Sequence, residues 1–207
     1  MWILSGGGSM NGGMLMKKMM AMAAAVIGLA ASSFSSVIVF DLLGDSSLYS
    51  QLDDRSSGSV TNSGLVATLS ASDGVLNRTT DGFGINGVGT DDTDALNLGQ
   101  YIDVVFGQAV VFSNLNVSSW GLSSAGEVQL GSAFVSQGSI LGTGDTAYGF
   151  QVAAGQVVRI LATAETSSTN GFSVDGFTVE TIPEPAVVGF VGLVGLGFLA
   201  TRRFLEK

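Results

Sequence analysis

The chain has 207 residues, with 8 Lys and Arg against 17 Asp and Glu, a net charge of −9, 30 glycines and 2 prolines. It has neither Cys nor His, which excludes thiol nucleophiles, disulfides, Ser-His or Cys-His machinery and the usual His/Cys metal sites. Between Phe34 and Ile182 the bases are Arg55, Arg78 and Arg159 against 15 acids, and 3 minus 15 is −12. A surface this acidic repels nucleic acid but admits divalent cations and neutral polar ligands.

Taken in chain order, Lys17-Lys18 precede an apolar run, Met19 to Ala31, and the small residues Ala30 to Ser33. That order of basic, apolar and small segments is the pattern of a secretory signal peptide, with cleavage after Ala30, Ser32 or Ser33. The run of about 13 residues is shorter than the roughly 17–25 that a membrane helix needs. Residues 1–13 are glycine-rich and carry no charge, so the natural start is expected at Met14 or Met16.

From residue 34 to residue 182 no helical period is sustained. Short Val, Ile, Leu and Phe runs alternate with Gly, Ser, Asn and Asp, which predicts strands at Val37–Leu42, Leu65–Ser70, Tyr101–Phe106, Ala109–Asn116, Glu127–Leu130, Ala147–Val152, Val157–Ala162 and Phe172–Glu180. Gly44 to Ser63 is mostly polar and predicts an irregular loop. Gly107-Gln108 and Ala154-Gly155-Gln156 suggest hairpins. Alternation breaks at Asp175-Gly176, which predicts a bulge there. Eight strands over about 150 residues suit an all-β chain with a single antiparallel β-sandwich of jelly-roll type. A domain of this size builds its core without disulfides.

Three features of this middle segment bear on chemistry. Asp91, Asp92 and Asp94 follow a glycine-rich stretch, and clustered carboxylates with glycine turns suit Ca²⁺, although the spacing is not that of an EF-hand. An acidic surface loop explains the same residues. Asp175 in Gly171–Phe177 loosely resembles an aspartate in the last strand of jelly-roll carbohydrate-binding modules, where it helps hold a structural calcium; a turn or bulge aspartate is the alternative. Trp120, Tyr101 and Tyr148 are aromatic faces that could stack on sugar rings, or pack in the core. The sequons at Asn77 and Asn116 are expected to be chance matches. No pair of acids stands out as hydrolytic machinery and no P-loop follows the glycines, so an enzyme is not expected.

Both prolines lie in Pro183-Glu184-Pro185, followed by fifteen residues without charge, Ala186 to Ala200, then Thr201 and Arg202-Arg203. Proline ends a sheet, the glycine-rich apolar span suits a short membrane helix, and the arginines belong on the cytoplasmic side. The whole order resembles the PEP-CTERM tail of bacterial exported proteins, with Ile182 where Val is commoner in that family. The resemblance covers about an eighth of the chain. It implies recognition at Pro183, Glu184, Pro185, Arg202 and Arg203 by an exosortase, a membrane-embedded sorting protease, in Gram-negative bacteria that make extracellular polysaccharide.

The expected organisation is therefore an extension and signal peptide over 1–33, a sandwich over 34–182 and a sorting tail with a membrane span over 183–207. The expected function is a non-enzymatic exported protein, carried by the export translocon and cleaved at its tail. It would be anchored transiently by the C-terminal helix and then serve structurally or adhesively at the cell surface or in a polysaccharide-rich matrix. The alternative is a calcium-supported carbohydrate-binding module.

Overall fold

The computed structural model describes residues 35–80, 82–87, 95–118, 124–164 and 171–182. These residues form twelve strands and one short helix. The strands are β1 (Val37–Asp41), β2 (Ser57–Asn62), β3 (Leu65–Ala71), β4 (Val75–Thr79), β5 (Gly82–Asn86), β6 (Tyr101–Phe106), β7 (Val110–Ser118), β8 (Ala125–Leu130), β9 (Val135–Ile140), β10 (Gly144–Val152), β11 (Val157–Ala164) and β12 (Ser173–Thr181); the helix α1 is Ser46–Tyr49. One six-stranded sheet runs β10-β7-β12-β5-β4 with β1 also on β12, and the other runs β2-β3-β6-β11-β8-β9. Every strand pairing is antiparallel, as the sequence pattern predicts for an all-β sandwich.

Period-two alternation builds the core. Ile38 and Phe40 of β1, Ile102, Val104 and Phe106 of β6, and Val158 and Ile160 of β11 are buried, while the residues between them face out. Phenylalanines tie the two sheets together. Phe177 stacks on Phe40 with centroids 4.9 Å apart and meets Phe106 of the opposite sheet edge-on at 5.7 Å. Residues Ser35–Ile182 make one compact unit.

All eight expected strands are present, and four more join them. The expected irregular loop from Gly44 to Ser63 instead holds α1 and β2. Asp45 caps α1 through its carboxylate, which accepts from the Ser47 N–H at 2.9 Å. Leu48 and Leu52 anchor the segment in the core, and β2 buries Val60. As an edge strand, β2 needs few apolar residues, and Ser59 and Thr68 share a hydroxyl contact at 2.8 Å across to β3.

Neither expected hairpin forms. Gly107-Gln108 joins β6 to β7 and Ala154–Gln156 joins β10 to β11, and each link crosses from one sheet to the other. The reason is the alternation itself. A two-residue hairpin would pair Phe106 with Ala109 and turn Val110 outward, yet Phe106, Val110 and Phe112 are all core. Val152 and Val158 both point inward as well, from opposite sheets, and β11 pairs with β6 and β8 instead of β10.

The bulge predicted at Asp175-Gly176 is present. Val174 pairs with Val117 and Gly176 with Asn116, so Asp175 is the extra residue. At that point β12 exchanges partners along one edge: β1 pairs with it from Gly176 to Glu180, and β5 meets it at Val174. The Asp175 carbonyl accepts from Leu42 and Leu43 at 2.8 and 3.1 Å, which turns the chain away just past the end of β1.

Candidate functional site

The bulge opens a cleft of about 490 Å³ on the outer face of the β10-β7-β12-β1 half-sheet. Two register rows make its floor. One runs Asp145–Asn116–Gly176–Asp41 across β10, β7, β12 and β1; the next runs Ala147–Asn114–Thr178–Val39. Gly176 contributes no side chain at the centre of the first row, so the floor sinks there. A Cβ on Gly176 would collide with the Phe40 carbonyl of β1, so glycine is required for the close strand approach. The Asp41–Gly44 turn walls one end, held by the Gly44 N–H donating to Asp41 Oδ1 at 2.7 Å. The four strands set the row's length at about 14 Å, three spacings of roughly 4.8 Å.

The polar groups in this cleft are largely uncommitted. Asn116, Asp145 and Thr178 make no side-chain hydrogen bond among the described residues, and Asn114 Oδ1 is buried without a donor. Asp175 also lines the cleft, with Oδ1 accepting from the Ser118 hydroxyl at 2.6 Å. Its side chain therefore pins the bulge to the end of β7, and its carbonyl pins the end of β1. Gly82, at φ +120°, sits directly against that carboxylate.

Of the residues singled out in the sequence, Asp91, Asp92, Asp94 and Trp120 lie outside the described residues, as do Pro183, Glu184, Pro185, Arg202 and Arg203. Among the described residues no group of three or more acidic side chains is placed to hold a metal ion, and no helix is long and apolar enough to cross a membrane. Tyr101 and Tyr148 are committed elsewhere. The Tyr101 ring lies under the Arg159 guanidinium at 3.4 Å. Tyr148 packs edge-on against Phe112 and Phe150 and donates to the Ser139 carbonyl at 3.3 Å, and burial pushes its phenol up to about 12.

The sequence reading missed Asn114, Asn116, Asp145 and Asp41. A signal existed: Asn114-Leu115-Asn116-Val117 alternates polar and apolar on an expected strand, which puts both amides on the outer face. What one strand cannot reveal is its neighbours, and these amides gain meaning from β10 and β12.

The opposite sheet carries a different polar row: Ser57, Ser70, Asp103, Arg159, Gln129 and Ser136, in register across all six strands. Most of its groups are hydrogen-bonded, within the row or to residues beside it. Arg159 donates Nε to Asp103 Oδ1 at 2.8 Å and Nη2 to Oδ2 at 2.9 Å, and its guanidinium is sandwiched between the rings of Tyr101 and Phe134. The hydrogen bonds it donates to Asp103 make the guanidinium hold its proton even more firmly than usual. Gln129 donates to Glu127, which also accepts from Ser136 at 2.9 Å. The Arg159–Asp103 pair and the Glu127 contacts stiffen this face of the sheet.

Compared with protein-family models and with curated proteins, the chain matches none.

Proposed function

We propose that this chain is an exported cell-surface or extracellular-matrix protein. A membrane protease of the exosortase type would sort and cut it at its C-terminal tail, and its β-sandwich would serve as a non-enzymatic structural or adhesive part of a polysaccharide-rich layer. The observation that carries the reading is the ordered tail: Pro183-Glu184-Pro185, the uncharged span Ala186 to Ala200, and Arg202-Arg203, in a chain that also begins with a signal-like segment. The order suits its task physically. Basic residues stay cytoplasmic, the apolar span halts transfer, and the prolines of Pro183-Glu184-Pro185 disfavour sheet pairing there, which suits access by a protease.

The domain between the signals supports this reading. It needs no disulfide, and a net −12 keeps it soluble in a crowded outer layer. Its sheet edges are blunted: the Asn62 side chain donates to the Val39 carbonyl of β1 at 2.7 Å, and the Arg55 segment bridges to β4 at Leu76. We place the sandwich in the jelly-roll group, between a signal helix and a membrane helix.

The test is the intact mass of the mature protein from cells with and without the sorting protease. Loss of the Ala186–Lys207 segment only when the protease is present supports the proposal. Retention in both strains would make the chain an ordinary anchored surface protein and overturn the sorting role.

A further inference from the structure

The cleft over Gly176 gathers polar side chains that the described residues leave without partners. Its two rows present two amides, a hydroxyl and a carboxylate without hydrogen-bond partners among the described residues, on a concave face whose volume lies within the roughly 300–1,000 Å³ typical of small-ligand sites. The depression is built by the backbone, because the bulge, the partner exchange along β12 and the absent side chain at Gly176 all fall at its centre. It is therefore preformed, and a ligand would meet donors and acceptors already held on strands.

We propose that this cleft binds a neutral oligosaccharide lying across the strands, along the row from Asp145 to Asp41. Several observations select that class. An amide offers one acceptor and two donors, and a carboxylate offers acceptors alone. Alternating Asn116, Asn114, Thr178 and Asp145 thus match hydroxyl groups, each of which both donates and accepts. Asp145 is exposed at one end and accepts from paired hydroxyls; Asn116 and Asn114 sit mid-row and bridge to ring substituents; Val39, half exposed, offers an apolar contact for C–H surfaces. The Gly176 floor leaves room for a ring to approach the backbone. Anionic sugars are rejected by the −12 field and by Asp145, Asp41 and Asp175 around the cleft. The row's length of about 14 Å favours a short stretch of polymer over a monosaccharide. The inference rests on the surface-layer reading for its biological setting, where such a polymer would be the neighbouring material.

Binding can be measured on the purified full-length chain in detergent, without any processing, so it succeeds or fails independently of the tail. The probes are neutral linear tetrasaccharides of glucose, mannose and galactose, a tetragalacturonate and a chitosan tetramer, by calorimetry in EDTA and again in EDTA-free buffer with CaCl₂, and CaCl₂ alone in EDTA-free buffer. Asp145→Ala and Asn116→Ala are the test variants, with Thr68→Ala on the opposite sheet as control and circular dichroism as the check of folding. Binding of a neutral tetrasaccharide, weakened about tenfold by either variant and unchanged in the control, is the expected result. If one variant misfolds, Thr178→Val reads the neighbouring row of the same cleft. The proposal is overturned if no neutral probe binds, or if binding survives all of the cleft variants unchanged. It also fails if binding requires CaCl₂, or if the chitosan tetramer alone binds and is released by 1 M salt.

Discussion

Replacing Arg159 with Met tests whether the Asp103–Arg159 clasp holds the outer face of its sheet together. The substitution keeps an unbranched apolar stem and removes two charge-assisted hydrogen bonds of 2.8 and 2.9 Å and two ring contacts at 3.4 and 3.6 Å. An exposed ion pair contributes only about 0–1 kcal/mol, whereas breaking a buried one costs about 3–5 kcal/mol. Side-chain exposures of 15% and 20% place this pair toward the buried end. Each cation–π contact adds about 0.5–1 kcal/mol at such partial exposure. Phe134 holds a left-handed backbone, φ 48°, that bulky residues avoid, and it loses its partner as well. The expected destabilisation is about 3 kcal/mol, since the Met stem restores some packing. With a urea slope of about 2 kcal/mol/M, the midpoint falls by about 1.5 M with the slope unchanged. A double-mutant cycle with Asp103→Leu should return a coupling of about 1.5 kcal/mol or more. In 1 M salt the Debye length is about 3 Å, so a pair in contact keeps most of that coupling. A loss below about 1 kcal/mol for Arg159→Met, or a coupling near zero, would refute this account, because both fit a solvated pair.

Phe177→Ala removes the ring shared by Phe40, Phe106 and Phe112, and a loss of about 4 kcal/mol in urea unfolding is expected. Gly176→Ala drives a Cβ into the Phe40 carbonyl, so β1 must separate from β12; faster amide exchange across Ile38–Phe40 is the readout, with β6 and β11 unaffected. The Tyr148 phenol, raised from 10.0 to about 12 by burial, makes the folded state hold its proton more tightly. Stability is then unaffected below about pH 10 and declines as pH rises toward about 12. A two-unit shift corresponds to about 2.7 kcal/mol, which solvent screening of this half-buried ring reduces to about 1 kcal/mol. Tyr148→Phe should abolish that alkaline slope in melts taken across the range, and a slope that persists in Tyr148→Phe would assign it to another group.

The strands with continuous apolar alternation were legible because burial on one face imposes period two: Tyr101–Phe106 and Val157–Ala162 are clear on that basis alone. The strands that escaped, β2, β4, β5 and β9, are polar or glycine-rich. Three of them are sheet edges, where hydrogen bonding to a single neighbour suffices and burial is confined to one or two residues such as Val60, Leu76 and Ile140. In β5, Phe83 and Ile85 are buried, but glycines on either side of Phe83 masked the pattern. Both links read as hairpins carry real turn chemistry. Turn residues report that the chain reverses, and cannot report whether the reversed strand pairs beside its predecessor or packs across from it. Val110-Val111 hid the answer, since either could be the inward residue. The Arg159 clasp was illegible for a related reason: Asp103 and Arg159 are 56 residues apart, and only the β6–β11 register brings them together.

The break in alternation at Asp175-Gly176 was readable, and its consequence was not. An uninterrupted β12 would offer one continuous edge to one partner, and the row now centred on Gly176 would carry a side chain that fills the floor and collides with β1. The extra residue changes both at once. It gives the Asp175 carbonyl two N–H donors at the end of β1, it divides the edge between β1 and β5, and it places glycine where β1, β12 and β7 come together. The bulge in β12 and the cleft beside it thus have a single cause. The Asp175 side chain accepts from the Ser118 hydroxyl, and its carbonyl accepts from the Leu42 and Leu43 amides just past the end of β1. Beside the bulge lie Asn116, Asn114, Thr178 and Asp145, whose side chains make no hydrogen bond among the described residues, and these are the groups to which the proposed ligand is assigned.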